Sequence, residues 1–133
     1  MMELLKRFRL QSAHYLPGVA EGDAEGRLHG HNFQVEVRVR GPLDPVMGWV
    51  VDFGEIKAAF ASVFARLDHQ LLNDVQGLED PRAENIARWI FEELAPELPL
   101  LHRVVVCETE ERCGSFGPST AASNAAIAQD QSS

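Results

Sequence analysis

Cysteine is scarce in this chain of 133 residues: Cys107 and Cys113 are too few for a disulfide framework, and they lack the C-x-x-C spacing of a redox pair or zinc knuckle. Positive charge is short as well, with 12 Lys and Arg against 20 Asp and Glu, a formal charge of −8 and a pI near 5.0. Without clustered cations there is no surface to displace counterions from a phosphate backbone, so no nucleic-acid partner is expected. The separated residues Lys6, Arg7, Arg9, Arg27 and Arg38 still leave room for a local anionic ligand. Long apolar runs are missing too, since none approaches the roughly 20 residues that span a bilayer. The opening MMELLKRFRL places Glu3 and mixed charges where a secretory signal would carry an apolar core. No membrane partner is expected, and the cytoplasm is the expected compartment.

What is present is ordinary globular composition, 45% hydrophobic and 24% charged, in a length that supports one modest core. A single domain over residues 1–117 is expected. Beyond it the segment PSTAASNAAIAQDQSS has Ile127 as its one large apolar residue, which marks residues 118–133 as a disordered tail.

Residues 5–14 set Phe8, Leu10, Ser12 and His14 against Arg7, Arg9 and Gln11, the two-residue period of a strand. Residues 18–26 are rich in Gly, Ala and acids and read as an exposed loop. The clearest alternation follows, with His31, Phe33, Val35, Val37 and Val39 opposite Asn32, Gln34, Glu36, Arg38 and Arg40, as in a half-buried strand. Proline donates no ladder hydrogen bond, so Gly41-Pro42-Leu43-Asp44-Pro45 ends that strand. Asp52 reads as an N-cap with Glu55 closing a capping-box-like pair, and Phe53, Ile56, Phe60, Val63, Phe64 and Leu67 then recur at helical spacing. A second helix is expected to start with Asp80 as cap and Pro81 in its first position, with a stripe of Ile86, Trp89, Ile90 and Leu94. A last strand over 103–109 puts Val104, Val106 and Glu108 on one face. The order predicts an α+β domain, an antiparallel sheet with two helices on one face. Its long edges raise the prospect of sheets joining between subunits.

Three of the five histidines, His14, His29 and His31, lie within eighteen residues. His29 and His31 share a strand face, and His14 occupies the apolar-facing register of its own strand, so neighbouring strands would bring three imidazoles together. Three protein ligands with a fourth position open is the arrangement of catalytic zinc. Gly30 between the pair allows either a bulge or the close approach of a ligand. Asp68-His69 offers an imidazole oriented by a carboxylate for proton transfer, or a histidine at the negative end of a helix. Glu108, among buried valines, needs either a cation or a ligand with paired N–H donors.

These positions lie in a set of stretches that together are specific: S-A-H-Y-L-P at 12–17, R-L-H-G-H-N-F at 27–33, G-W-V-V-D-F at 48–53, L-D-H-Q-L-L-N-D at 67–74, E-N-I-A at 84–87 and C-E-T at 107–109. Over most of residues 5–117 the chain resembles the 6-pyruvoyl-tetrahydropterin and 6-carboxytetrahydropterin synthase family, most of all the bacterial enzymes of the queuosine pathway. The resemblance implies a tunnelling fold whose sheets join between subunits into a barrel, usually a homohexamer built as a dimer of trimers, with active sites between subunits. It implies Zn2+ on His14, His29 and His31, proton transfer by Asp68 and His69, and a pterin substrate anchored by Glu108.

The chain departs from the pattern at Glu25, where the synthases carry a catalytic cysteine. An ordinary glutamate, with a pKa of about 4.3, is a weaker base than a thiolate of about 8.5. A related branch carries Glu in an E-x-x-x-H-G-H pattern, as residues 25–31 do here, and is associated with cleaving the dihydroneopterin side chain to 6-hydroxymethyl-dihydropterin for folate synthesis. Arg82-Ala83 stands where hydroxyl residues often precede the E-N pair, and Cys107 is expected to face away from Glu108. The expectation is a lyase acting on dihydroneopterin or its triphosphate with Glu25 as catalytic base. Carboxytetrahydropterin synthesis and non-catalytic pterin or zinc binding are the alternatives.

Overall fold

The two alternating segments fold as a long antiparallel pair. In the computed structural model, which describes residues 1–48 and 50–118, strand β1 (Met2–His14) runs against β2 (His29–Gly41) in continuous register from Met2 opposite Gly41 to His14 opposite His29. Strand β3 (Leu101–Cys107) adds to β2 and strand β4 (Cys113–Phe116) to β3, giving a sheet of order β1-β2-β3-β4, antiparallel throughout. Two helices, α1 (Phe53–Leu67) and α2 (Ala83–Leu94), lie between β2 and β3 in the chain.

Both helices cover the same sheet face, because the period of two leaves one apolar side on each strand. Leu10, Phe33, Val35, Val37, Val39, Val104 and Val106 from the sheet are buried with Ile56, Phe60, Val63, Leu67, Ile86, Ile90 and Leu94 from the helices. Phe8 stacks on Phe60 with ring centroids 3.9 Å apart. The expected α+β class with two helices on one face is thus the observed one. No helix among the described residues is long and apolar enough to cross a membrane.

Several details differ from the sequence-based expectation. Phe53 and Phe64, placed in the α1 stripe by their spacing, are 48% and 43% exposed and lie at the margin of the buried face. Asp52 does cap α1, with its carboxylate accepting from the Gly54 N–H at 2.9 Å. The second helix starts later than Asp80-Pro81 suggested: Arg82 takes the cap position without a side-chain cap bond. The Asp80 carboxylate is instead engaged by Arg82 Nε at 3.0 Å, and the Pro81 carbonyl accepts from His14 Nδ1 at 2.7 Å. The last expected strand ends at Cys107 and is followed by β4, which four residues containing a glycine could not announce by periodicity. Gly114 in β4 is required by close packing, since a Cβ there would lie 2.5 Å from the Glu84 backbone nitrogen. Gly30 forms no bulge; it pairs regularly with Ala13. Trp49 and, from residue 119 on, the expected tail lie outside the described residues.

Phe60→Ala removes the ring that joins α1 to the sheet and should lower unfolding free energy by about 3–5 kcal/mol in urea titrations, as for other buried aromatic truncations.

Candidate functional site

The site begins with register. His14 and His29 are cross-strand partners and His31 lies one pleat further along β2, opposite Ser12, so all three imidazoles rise from the helix-covered face at one end of the sheet. Their ring centroids are 4.6, 5.1 and 4.8 Å apart for the pairs 14–29, 14–31 and 29–31. One nitrogen from each falls in a group whose members lie within 4.8 Å of one another. His14 donates from Nδ1 to the Pro81 carbonyl at 2.7 Å and His29 from Nδ1 to the Arg27 carbonyl at 2.6 Å. A carbonyl only accepts, so both rings carry a proton on Nδ1 and turn Nε2 inward. Burial holds the pKa of His14 and of His31 below the ordinary histidine value, which favours neutral imidazoles there.

Two carboxylates close on the same point. Glu25, on a short helical turn (Ala24–Gly26), has Oε2 3.6 Å from His29 Nε2, and Glu108 has Oε2 4.0 Å from His31 Nε2. Among the described residues, the buried side-chain atoms without a hydrogen-bond partner are His14 Nε2, His29 Nε2, His31 Nε2 and Glu25 Oε2. Buried polar atoms are ordinarily satisfied, so four orphans at one point mark a place built for something else. Glu108 is 9% exposed, and its carboxylate makes no hydrogen bond among the described residues. It opens into a cavity of about 240 Å³ lined also by Leu16, Arg82, Ala83, Glu84 and Arg112. The sequence reading missed Arg112, which donates to Glu25 Oε1 at 3.2 Å. A lone arginine in a turn carries no periodic or motif signal, so only the fold could reveal this contact.

The structure therefore brings together five of the seven expected site residues, His14, His29, His31, Glu25 and Glu108, and leaves Asp68 and His69 apart. Asp68 ends α1 and is tied to the outer edge of β1, where Oδ1 accepts from the Gln11 N–H at 3.0 Å. That bond, with a smaller contribution from His69, holds its carboxyl below the usual pKa. His69 donates from Nδ1 to Asp68 Oδ2 at 2.6 Å, adopts a φ of 56° and leaves its ring 71% exposed. A positive φ on a non-glycine residue is an uncommon, costly geometry found at functional positions. Cys107 faces away from Glu108 as expected, toward Arg7, Glu36 and Arg38 on the other sheet face. It is bonded to Cys113, its cross-strand partner, so neither cysteine is a free thiol. The cations proposed for an anionic patch are partly consumed there, since Arg7 and Arg38 both pair with Glu36.

Residues 3–118 match the family model described as 6-pyruvoyl tetrahydropterin synthase. The chain belongs to the 6-pyruvoyl tetrahydropterin synthase family. It is 41% identical over 115 residues to the 6-carboxy-5,6,7,8-tetrahydropterin synthase of Synechocystis, covering 82% of this chain and 88% of that one. It is 42% identical over 72 residues to the dihydroneopterin monophosphate aldolase of Pyrococcus furiosus, covering 54% of this chain and 60% of that protein. Among solved structures, the 6-pyruvoyl tetrahydropterin synthase of Caenorhabditis elegans superposes with a TM-score of 0.80 at 25% identity, covering 89% of this chain and 96% of the other. The Plasmodium vivax 6-pyruvoyltetrahydropterin synthase shares the fold, with a TM-score of 0.67 at 22% identity over 86% of this chain and 96% of that one; these structures are of catalytic residue mutants in which a glutamate is replaced.

The lowered histidine values fix a pH dependence for the metal-free protein. Above pH ~6.5 neither the folded nor the unfolded chain protonates these imidazoles; below it the unfolded chain binds protons that folded His14 and His31 exclude. Stability is therefore complete above about 6.5 and is lost as pH falls toward the folded-state values. Urea midpoints in chelator should drop between pH 7.5 and 5.5, and His31→Asn should flatten that slope.

Proposed function

We propose that this chain is a zinc-dependent pterin lyase that cleaves the side chain of 7,8-dihydroneopterin or its triphosphate to leave 6-hydroxymethyl-dihydropterin. The observation that carries this reading is the convergence of three unpartnered imidazole Nε2 atoms on the unpartnered carboxylate oxygen of Glu25. The donor set fits zinc: three imidazole nitrogens, two of them on rings oriented by carbonyl acceptors, which leaves a fourth position of a tetrahedral ion to an outside ligand. Zinc held by His14, His29 and His31 would supply Lewis acidity toward the side-chain hydroxyls of the pterin.

The chain's own residues do the rest. The Glu108 carboxylate accepts from the amino and ring N–H groups of the pterin in paired fashion, which fixes the ring in the cavity. Glu25 Oε2 takes the proton of the side-chain hydroxyl. The oxygen so freed becomes a carbonyl as the adjacent C–C bond breaks: the outer part of the side chain leaves as an aldehyde, and the bond's electron pair passes through the ring-side carbon into the pterin ring. His69, held through Nδ1 by Asp68, returns a proton to the ring-side carbon. Within one chain His69 stands apart from the histidine group, so this scheme places it in the site of an adjacent subunit of a homohexamer, with the edge of β1 as the joining surface. The P. furiosus relative named as a dihydroneopterin monophosphate aldolase supports side-chain cleavage. The P. vivax 6-pyruvoyltetrahydropterin synthase, in which a glutamate is a catalytic residue, is a precedent for this residue type on this fold.

A second reading, 6-carboxytetrahydropterin synthesis, is favoured by the longer span of likeness to the Synechocystis enzyme. Zinc-loaded protein incubated separately with dihydroneopterin and its triphosphate separates the two by product mass. Hydroxymethyl-dihydropterin is the expected product, carboxytetrahydropterin would transfer the assignment to the second reading, and tight pterin binding without product would identify a non-catalytic binder. His31→Ala should lose both bound zinc and turnover, and full turnover by a metal-free His31→Ala protein would sink the zinc scheme.

A further inference from the structure

The two oxygens of the Glu25 carboxylate are not equivalent. Oε1 accepts from Arg112 at 3.2 Å, while Oε2 is buried, unpartnered among the described residues and 3.6 Å from His29 Nε2. The backbone of Glu25 is fixed separately: its N–H donates to Asp23 Oδ1 at 2.9 Å and its carbonyl accepts from the Leu16 N–H at 2.8 Å. A glutamate so anchored still turns about its side-chain bonds, and its terminal torsion is broad. Among the described residues, Arg112 supplies the single hydrogen bond to that end.

Arg112 is itself well placed to act as a fixed post. It sits in the turn between β3 and β4, where the Glu108 N–H donates to the Arg112 carbonyl at 2.9 Å and the Arg112 N–H to the Thr109 carbonyl at 3.3 Å. The bonded pair Cys107 and Cys113 closes the same turn. One short covalently closed segment thus carries both Glu108, at the ring end of the cavity, and the guanidinium that reaches Glu25, 87 residues away in sequence. The Arg112 side chain is 59% exposed, and exposed ion pairs contribute little to stability, so the contact is poorly explained as a fold-stabilising one.

We infer that Arg112 is a positioning residue for the Glu25 base: by taking Oε1 in a charge-assisted hydrogen bond it fixes the carboxylate's rotation and leaves Oε2 facing the histidines as the proton-accepting oxygen. This inference rests on the reading of Glu25 as base. Arg112 lines the cavity with its guanidinium turned to Glu25 Oε1, and the proposed ring contacts fall to Glu108, so its loss should affect the rate more than binding. Misplacement of a reacting group by about 1 Å costs on the order of a hundredfold in rate.

The test uses the zinc-loaded full chain with whichever of dihydroneopterin and its triphosphate is turned over, comparing parent, Arg112→Ala, Arg112→Gln, Arg112→Lys and Glu25→Gln. Arg112→Ala and Arg112→Gln should lose roughly 10- to 100-fold in kcat with KM within about threefold. Their zinc content and melting temperature should stay at the parent values, and Arg112→Lys or added guanidinium should restore part of the rate. If Arg112→Ala does not fold, the near-isosteric Arg112→Gln carries the comparison. A kcat within about twofold of the parent, a defect confined to KM, or loss of zinc would each overturn the inference. Full activity in Glu25→Gln would instead remove the base itself, whereas an inactive Glu25→Gln beside an unaffected Arg112→Ala would leave the base in place and refute the positioning role.

Discussion

The register of β1 against β2 is the constraint on which the rest of this structure depends. Because side chains alternate between faces, a slip of one residue would carry Leu10, Ser12 and His14 to the opposite side of the sheet. The slip is prevented by burial: Leu10 lies opposite Phe33 and Phe8 opposite Val35, and the face they share is covered by both helices. The hydrophobic pattern that closes the core thereby also stacks His14 across from His29, with His31 one pleat along. The site needs no scaffold of its own, since it is the polar end of the same apolar stripe.

Against this well-paired background the unpaired atoms stand out. Glu36 is also buried, on the other face, and is fully accounted for by Arg7 at 3.0 Å and Arg38 at 2.6 Å. Ser12 donates to the Leu67 carbonyl, and Trp89 Nε1 donates to the Gln76 carbonyl at 3.0 Å. Among the described residues these buried polar groups have partners, whereas the three imidazole Nε2 atoms and Glu25 Oε2 have none. Leaving such groups bare is unfavourable, and under the proposed function their partners would be a metal ion and a substrate.

The supporting elements are shaped around that end of the sheet. A helix beginning at Pro81 would tie its carbonyl into the helical ladder; by starting at Ala83, α2 leaves that carbonyl to orient His14. Strand β4 then packs against the start of α2 so closely that only glycine fits at position 114, which brings the Glu108–Arg112 turn over the cavity. Asp68 and His69 are fastened to the outer side of β1 through Gln11. The chain thus gathers the three histidines, Glu25 and Glu108 at one end of the sheet and presents the Asp68–His69 pair outward.

By itself the sequence determined the class of fold and named the candidate site residues. Periods of two and of three to four residues dictate which faces are apolar, and those faces decide how strands and helices can layer. His14, His29, His31 and Glu108 were legible because each stands in register on a strand, where alternation says which way a side chain points. Glu25, Asp68 and His69 were legible through their place in motifs. Periodicity misjudged Phe53 and Phe64, because spacing defines a stripe while its width depends on what packs against it. It missed β4, too short to show a period, and put the start of α2 at a local cap signal that tertiary hydrogen bonds override. Only the tertiary structure could join Arg112 to Glu25, bond Cys107 to Cys113 and separate the Asp68–His69 pair from the other five residues. Those relations span gaps that no local pattern encodes, and they exist because the sheet brings distant loops to one end.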